Sequence, residues 1–223
     1  MVKPDTCSGQ RVSLLPKSIC ICCHCSYKIR TMDASDLKAF LSHRTKEKII
    51  AETRVPSAVL LPLFRDAGKW HIVFIKRSFW VPTHQGQIAF PGGSRHTHDK
   101  SLLETALRES WEEIGLKPED VTVLGELDDQ LTTTSNFILT PFVGTIPWPY
   151  EFTLCKAEVD DIFTAPVHSL MEKSRLRPEK EILNGVEIPS FAYYYKGKRI
   201  WGATARVLKK FFEIVSELNK PGT

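Results

Sequence analysis

The chain has 223 residues, 42% of them hydrophobic, which is enough for one globular domain whose core needs no disulfides to fold. Its formal net charge of +4 falls entirely in residues 1–31, which hold five basic residues and one acidic residue, so the balanced remainder gives no indication of a nucleic-acid partner. No apolar run reaches the roughly 18 residues of a membrane-spanning helix, so no membrane partner is predicted.

Residues 1–31 are rich in cysteine and show no sustained helical or strand period, so we predict a disordered leader before a folded domain at residues 32–223. In the run Cys20–Cys25 the potential zinc ligands all lie within six residues, and no second pair of ligands follows. This spacing disfavours a structural zinc site. The scarcity of acids resembles an organelle transit peptide; alternatively, the native chain begins at Met32. Cys155 is the only cysteine in the body, which predicts no disulfide framework and suits the cytoplasm.

The first predicted elements of the domain are a helix and a hairpin. A helix is predicted from Met32 to Glu52 because apolar residues recur there at helical spacing. Val55–Phe64 and Trp70–Lys76 have the composition of strands, and the turn residues Asp66–Gly68 lie between them. Together they predict a β-hairpin.

A glycine-rich segment follows the hairpin. Gly86 and the pair Gly92 and Gly93 permit close approach of the backbone to a ligand. Arg77 and His84 carry groups that bind phosphate oxygens. These five residues are therefore candidates for substrate binding, although a glycine pair by itself most often marks a turn.

A second helix is predicted to begin near residues 99–101 and to end at Gly115, which suits the left-handed conformation that closes a helix. One face carries Glu109, Glu112 and Glu113. The opposite face, expected to be buried, comprises Leu103, Leu107, Ser110, Trp111 and Ile114. Each close carboxylate pair costs about 3 kcal/mol when poorly screened. A divalent cation removes that repulsion, and oxygen ligands suit Mg²⁺ or Mn²⁺. The alternative interpretation of the three glutamates is a solvated acidic helix face.

The later part of the chain is predicted to contain strands, a hairpin and two helices. The predicted strands are Val121–Leu127 and Phe137–Gly144, followed by a short helix at Ser169–Lys173, a hairpin of Ile188–Tyr195 with Lys198–Trp201, and a closing helix that ends near Leu218. Interspersed strands with a few helices indicate an α/β (α+β) fold without specifying which one.

Residues 108–116, RESWEEIGL, carry a more specific signal. Their order resembles the end of the Nudix box, which reads arginine, glutamate, apolar, any, glutamate, glutamate, any, glycine, apolar; Ser110 takes the usually apolar place. The resemblance implies a Nudix hydrolase, an enzyme that cleaves a nucleoside diphosphate linked to another group. It also implies a mixed β-sheet sandwiched between helices. The upstream glutamate of the box would fall at Lys100, but the acidic residue here is Asp99. This one-residue shift affects the loop and leaves the metal-binding end of the box intact.

The glycine-rich segment resembles the additional motif of the coenzyme A pyrophosphatase branch of that family. Arg77-Ser78, Gly86 and Phe90–Gly93 match this motif, and residues 158–167 also resemble that branch. Pro82 departs from it, because the branch commonly has arginine there. The loss of a fixed cation would weaken coenzyme A binding or redirect specificity.

The resemblance also implies roles for the charged residues of the box. Glu109 and Glu113 are the expected metal ligands, and Glu112 adds to the cluster or acts on the attacking water. Arg108 is expected to pair with a carboxylate of the box and to fix the loop against the helix. Glu158 is a candidate for a third metal contact or for the general base, with a surface charge ahead of a strand as the alternative. The identity of the base stays open among Glu109, Glu112 and Glu158.

The leading functional hypothesis is Mg²⁺- or Mn²⁺-dependent hydrolysis of coenzyme A or acyl-coenzyme A to 3′,5′-ADP and 4′-phosphopantetheine or its acyl derivative. The alternatives are hydrolysis of ADP-ribose, a dinucleotide or a deoxynucleoside triphosphate, and a Nudix-fold nucleotide-binding protein without turnover. The expected partner is a small nucleotide, and the oligomeric state stays open, with a homodimer as one alternative. The expected location is the cytoplasm, or a mitochondrion or other organelle if residues 1–31 are a transit peptide.

Overall fold

The computed structural model describes residues 9–14, 33–133, 135–183 and 185–220. The predictions for Cys20–Cys25, for a transit peptide and for a start at Met32 lie outside the described residues. The strands are β1 (Gly9–Ser13), β2 (Val55–Asp66), β3 (Lys69–Arg77), β4 (Ile88–Ala89), β5 (Gly92–Ser94), β6 (Thr122–Glu126), β7 (Gln130–Leu131), β8 (Phe137–Thr145), β9 (Glu151–Cys155), β10 (Val159–Pro166), β11 (Leu176–Leu183), β12 (Val186–Tyr195) and β13 (Lys198–Ile200). The helices are α1 (Ala34–His43), α2 (Leu102–Ile114), α3 (Val167–Leu170) and α4 (Gly202–Leu218), with 3₁₀ turns at Pro118–Asp120 and Lys173–Arg175.

One mixed sheet forms the centre of the domain. Its main order is β10-β3-β2-β8-β6, while β4, β5 and β7 pair with β3, β2 and β8, respectively. β2 and β8 run parallel, and the other neighbours run antiparallel. The hairpin predicted from the sequence is confirmed as β2 and β3. A second sheet has the order β11-β12-β13, and β1 pairs with β9.

β2 shows how the central sheet is covered on both faces. Leu61 and Leu63 pack into a core with residues of α1 and α4. The alternate residues Leu60 and Phe64 pack into a second core with residues of α2. A strand that is covered on both sides has no polar alternation, and this is why residues 57–64 are all buried. The predicted mixed sheet sandwiched between helices is therefore confirmed.

The first helix is shorter than predicted. It ends at His43 instead of Glu52, and the chain continues in extended conformation. Arg44 forms an ion pair with Asp128, and the backbone N–H of Glu47 donates to the same carboxylate at 3.0 Å. These contacts with the segment after β6 replace the intrahelical hydrogen bonds, so tertiary interactions override a local helical pattern.

Part of the segment that we predicted to be disordered forms a strand. β1 pairs antiparallel with β9, with Gly9 opposite Cys155 and Ser13 opposite Glu151. The prediction of disorder is wrong for these residues because backbone pairing with a distant strand needs no hydrophobic period in the sequence. Cys155 is disulfide-bonded, so the one cysteine of the body takes part in a bond that was not predicted from the sequence.

The late elements follow the prediction closely. The predicted hairpin is β12 and β13, and its turn has positive φ at Lys196 and Gly197. The predicted short helix lies slightly earlier than expected, as α3, and β9 and β11 were not predicted. The closing helix is α4, which buries Leu208, Phe211 and Val215. None of the helices within the described ranges is long and apolar enough to cross a membrane.

Candidate active site

Helix α2 presents the acidic residues, and its ends follow from local chemistry. The Ser101 hydroxyl accepts a hydrogen bond from the Glu104 backbone N–H at 3.1 Å, which satisfies one of the free donors of the first turn. Gly115 ends the helix with φ of 67°, a conformation that glycine adopts without strain. The predicted boundaries of this helix are therefore confirmed.

The buried face of α2 differs from the predicted one. Glu109 and Glu113 are only 6% and 1% exposed, whereas Trp111 is 48% exposed. Strand β5 covers the acidic side of the helix, and a helical wheel cannot show this because it contains no information about neighbouring elements. The prediction that Trp111 is buried is wrong, and two of the three glutamates lie inside the domain.

Three carboxylates converge where α2 meets the start of β10. Ligand oxygens of Glu109, Glu113 and Glu158 all lie within 4.8 Å of one another. Glu158 is held there by the backbone, because its carbonyl oxygen accepts a hydrogen bond from the Ser78 N–H at 2.8 Å. Three hard oxygen donors at this spacing fit a divalent cation such as Mg²⁺ or Mn²⁺.

Glu112 lies apart from this group. Its side chain is 33% exposed, and it accepts a hydrogen bond from Arg108 at 3.2 Å. The structure thus brings Glu158, and not Glu112, together with the two buried glutamates. The roles expected of Glu112 as a ligand or as the group acting on water stay predictions.

The glycine pair permits the backbone to contact the carboxylates. The Gly92 N–H donates to Glu113 at 2.9 Å, and a Cβ atom at Gly92 would lie 2.3 Å from the Ala58 carbonyl oxygen. A Cβ atom at Gly93 would lie 2.6 Å from the carboxylate carbon of Glu109. Any larger residue would displace the strand or the ligand oxygens, so both positions require glycine.

Glu113 is the most strongly perturbed of the acids. Burial raises the pKa of Glu113 to about 8, although the Gly92 N–H and the Arg77 guanidinium oppose this rise. An Arg77 nitrogen lies 3.6 Å from Glu113, while Arg77 Nε is buried without a hydrogen-bond partner among the described residues. Ionising Glu113 beside Glu109 and Glu158 is therefore unfavourable unless a cation is added.

Arg108 connects the loop before α2 with the acids of the helix. It donates to both carboxylate oxygens of Asp99, at 2.9 Å and 3.0 Å, and to Glu109 at 2.9 Å. These hydrogen bonds hold the pKa of Asp99 well below its usual range. Asp99 thus contacts Arg108 although it lies one position before the acidic position of the Nudix box. The contribution of this contact to catalysis stays a prediction.

A cavity of about 270 Å³ adjoins the carboxylates. Arg77, His84, Gly92 and Gly93 line it, as expected of substrate-binding residues. Gly86 does not line the cavity. It has a φ of 66°, and a Cβ atom at this position would lie 2.9 Å from the ring of Phe79.

Another part of the cavity wall was not predicted from the sequence. Its residues come from the loop after β7 and from the start of α4: Thr132, Thr133, Ser135, Trp201, Gly202, Ala203, Thr204 and Arg206. No spacing motif marks them. The available signal was an aromatic residue followed by glycine at the start of a helix, which by itself predicts only the helix.

Comparison with known proteins places this site in a family. A profile described as the NUDIX domain matches residues 53–184. A protein of Photorhabdus laumondii described as the uncharacterized Nudix hydrolase NudL is 32% identical over 168 residues, covering 75% of this chain and 89% of the relative. A protein of the same description from Yersinia enterocolitica is 34% identical over 160 residues, covering 72% and 81%.

A solved structure supports the same fold. The MutT/nudix family protein from Enterococcus faecalis superposes with a TM-score of 0.52 at 15% identity, covering 84% of this chain and 71% of that one. The predicted Nudix fold is confirmed by this likeness together with the domain match. The domain match and the two relatives each cover more than half of the chain, and residues 108–116 carry the Arg-Glu and Glu-Glu pairs that indicate the same family. The chain belongs to the Nudix hydrolase family.

Proposed function

We propose that this Nudix hydrolase cleaves the diphosphate of coenzyme A or an acyl-coenzyme A with Mg²⁺ or Mn²⁺, releasing 3′,5′-ADP and 4′-phosphopantetheine or its acyl derivative. One observation carries the proposal. The segment that resembles the coenzyme A motif contributes Gly92 and Gly93, which contact Glu113 and Glu109, and Arg77, which lies beside Glu113. The sequence feature linked to the substrate is thus in direct contact with the carboxylates linked to the chemistry.

Glu109, Glu113 and Glu158 are the residues that would hold the cation. A divalent cation at this point would neutralise charge on the diphosphate and would favour ionisation of the attacking water. The carboxylates fix its place between the helix and the start of β10. Glu113 would hold the cation as a carboxylate, although its burial otherwise favours the neutral form.

The remaining residues orient the substrate and the ligands. The glycine pair keeps the backbone against the carboxylates, and Arg77 and His84 line the same cavity. Arg108 keeps Glu109 and Glu112 in place through hydrogen bonds of 2.9 Å and 3.2 Å. Glu112 is the partly exposed candidate for the base, and Glu158 is the candidate within the carboxylate group.

A second substrate class is favoured by one feature. Pro82 is exposed beside the cavity residues Thr83 and His84, and it replaces the arginine that is common in the coenzyme A branch. A substrate with fewer phosphates, such as ADP-ribose or a dinucleotide, has less need of that cation. A binding protein without turnover is disfavoured, because bringing three carboxylates together, two of them buried, is unfavourable without a cation.

A product analysis tests these alternatives. The protein is incubated with Mg²⁺ or Mn²⁺ and, separately, with coenzyme A, acetyl-coenzyme A, ADP-ribose, NADH and dGTP, and the products are identified by mass spectrometry. We expect 3′,5′-ADP from the two coenzyme A compounds. Hydrolysis restricted to the other substrates would contradict the coenzyme A proposal, and the absence of any hydrolysis would support a binding role. Glu109→Gln serves as the inactive control.

The cytoplasmic location, the organellar alternative and the homodimer stay predictions, to be tested by localisation of the full chain and by light scattering.

A further inference from the structure

The part of the cavity wall that comes from the loop after β7 and the start of α4 has the chemistry of an anion site. Arg206, in the first turns of α4, lines the cavity. Its guanidinium donates to the Leu131 carbonyl oxygen at 2.8 Å, and among the described residues no ion pair joins it to a carboxylate; Glu181 acts on it only at longer range. Burial lowers the pKa of Arg206, because no adjacent negative charge offsets the desolvation of the cation.

Neighbouring groups that line the cavity add hydrogen-bond donors and no acidic side chain. Gly202, Ala203 and Thr204 form the first turn of α4 and line the cavity, and no side chain caps this end of the helix. A helix of 17 residues with an uncapped N-terminus favours anions there. The Ser135 hydroxyl lines the same cavity, and it is shielded from solvent without a hydrogen-bond partner in the described part of the chain.

An aromatic side chain stands beside these donors. Trp201 lines the cavity immediately before α4, and the Arg199 guanidinium lies 4.6 Å from its ring centroid. An indole held in this way provides a surface on which a purine stacks. The wall therefore combines a ring for a base with a cation and N–H groups for a phosphate.

The size of the cavity selects which part of a large substrate enters it. Its 270 Å³ is near the lower limit of about 300 Å³ for pockets that enclose a drug-sized ligand. It therefore accommodates one half of a coenzyme A molecule and not both. The cation and the aromatic ring favour the nucleotide half over the uncharged pantetheine arm.

We propose that Arg206, with the first turn of α4 and the Ser135 hydroxyl, binds the ribose phosphomonoester of the substrate, while Trp201 stacks on its purine. The inference rests on the proposed function in identifying this group as the 3′-phosphate of coenzyme A. The same chemistry would recognise the 2′-phosphate of NADPH. Arg206 is then a specificity-determining residue that never contacts the bond to be cleaved.

The test compares pairs of ligands that differ only by this phosphate. Binding of 3′,5′-ADP and AMP is measured by calorimetry at pH 7.5, and kcat/KM is measured for coenzyme A against dephospho-coenzyme A and for NADPH against NADH. A charge-assisted phosphate contact predicts that the wild type prefers 3′,5′-ADP over AMP by about ten- to hundred-fold. If the coenzyme A pair shows the preference and the NADPH pair does not, the phosphate is the 3′-phosphate.

Three variants separate phosphate recognition from a structural role of Arg206. Arg206→Gln keeps a donor for the Leu131 carbonyl but removes the charge, and we expect it to lose the preference while AMP binding is unchanged. Arg206→Lys should retain part of the preference. Lys209→Met removes an exposed cation from the same helix outside this cavity and should retain all of it.

Two results would overturn the inference. One is a wild type that binds 3′,5′-ADP and AMP equally. The other is an Arg206→Gln variant that weakens both ligands by the same factor, because Arg206 would then act only by holding the loop at Leu131. These outcomes are distinct from failure of the proposed function, which is the absence of coenzyme A hydrolysis by the wild type; the binding measurement remains decisive in that case.

Discussion

The two sides of the active-site region are built differently. On the α2 side, all of the acids except Glu158 lie in one short run of sequence, and Arg108 pairs with Asp99, Glu109 and Glu112. On the α4 side, the cavity wall comes from two separate segments, and Arg206 has a backbone carbonyl as its hydrogen-bond partner. The first side has more acidic than basic groups around a place for a cation, and the second has a cation without an adjacent acid. We infer that chemistry is located on one side and selection of the substrate on the other.

The largest expected effect comes from the α2 side. We expect Glu113→Gln to lower kcat by about 100-fold or more, because the cation loses a ligand at the reacting phosphates. Steady-state kinetics at saturating Mg²⁺ measure this loss. Glu119→Gln is the comparison, since its side chain is exposed and outside the carboxylate group. Near-normal turnover in Glu113→Gln would remove this residue from the cation site.

The same variant has an opposite effect on stability. The pKa of Glu113 is raised from 4.5 to about 8, so the folded state holds a proton that the unfolded state has lost, and the stability of the wild type falls as pH rises through this window. Without metal, Glu113→Gln should therefore be more stable than the wild type at pH 8, by roughly 2–5 kcal/mol, with little difference at pH 4.5. Urea unfolding in the presence of a chelator measures this. An equal difference at both pH values would contradict the assigned cause.

An intermediate effect is expected at the contact between the glycine pair and the carboxylates. Gly93→Ala places a methyl group 2.6 Å from the carboxylate carbon of Glu109, and we expect kcat to fall by about 10- to 100-fold as the ligand is displaced. Gly197→Ala is the control, because its Cβ atom would meet nothing within 4 Å. It should lower stability by about 1 kcal/mol, as φ is positive there, without changing kcat. Equal kinetics in the two variants would exclude a special role for Gly93.

The smallest effect is expected at the anchor of the loop. Asp99→Asn should lower the free energy of unfolding by about 2 kcal/mol at pH 7, because Arg108 loses a buried charged partner. The pKa of Asp99 is lowered in the folded state, so its contribution is complete above about pH 4 and is lost as pH falls further. The difference between variant and wild type should accordingly shrink from pH 7 to pH 2.5. Asp160→Asn, in an exposed pair with Lys76, should change stability by less than about 1 kcal/mol, and an equal loss there would contradict the special place of Asp99.

Local patterns were sufficient for elements whose residues contact their own neighbours in sequence. The boundaries of α2 follow from Ser101 and Gly115, and the β2–β3 hairpin follows from its turn at Ala67 and Gly68. Local patterns failed where a distant segment competed. Asp128 ends the first helix by binding Arg44 and Glu47, and no helical propensity could show that.

The sequence by itself determined the family, the acidic helix and the glycine pair, because these depend on short-range spacing along one chain segment. Tertiary structure alone decided that Glu158, 45 residues after Glu113 in the chain, approaches Glu113 and Glu109. It also decided that Arg206 and Trp201 face the same cavity as Gly92. The physical reason is that strand pairing and the packing of helices on the sheet bring these groups together, and neither interaction has a local signature in the sequence.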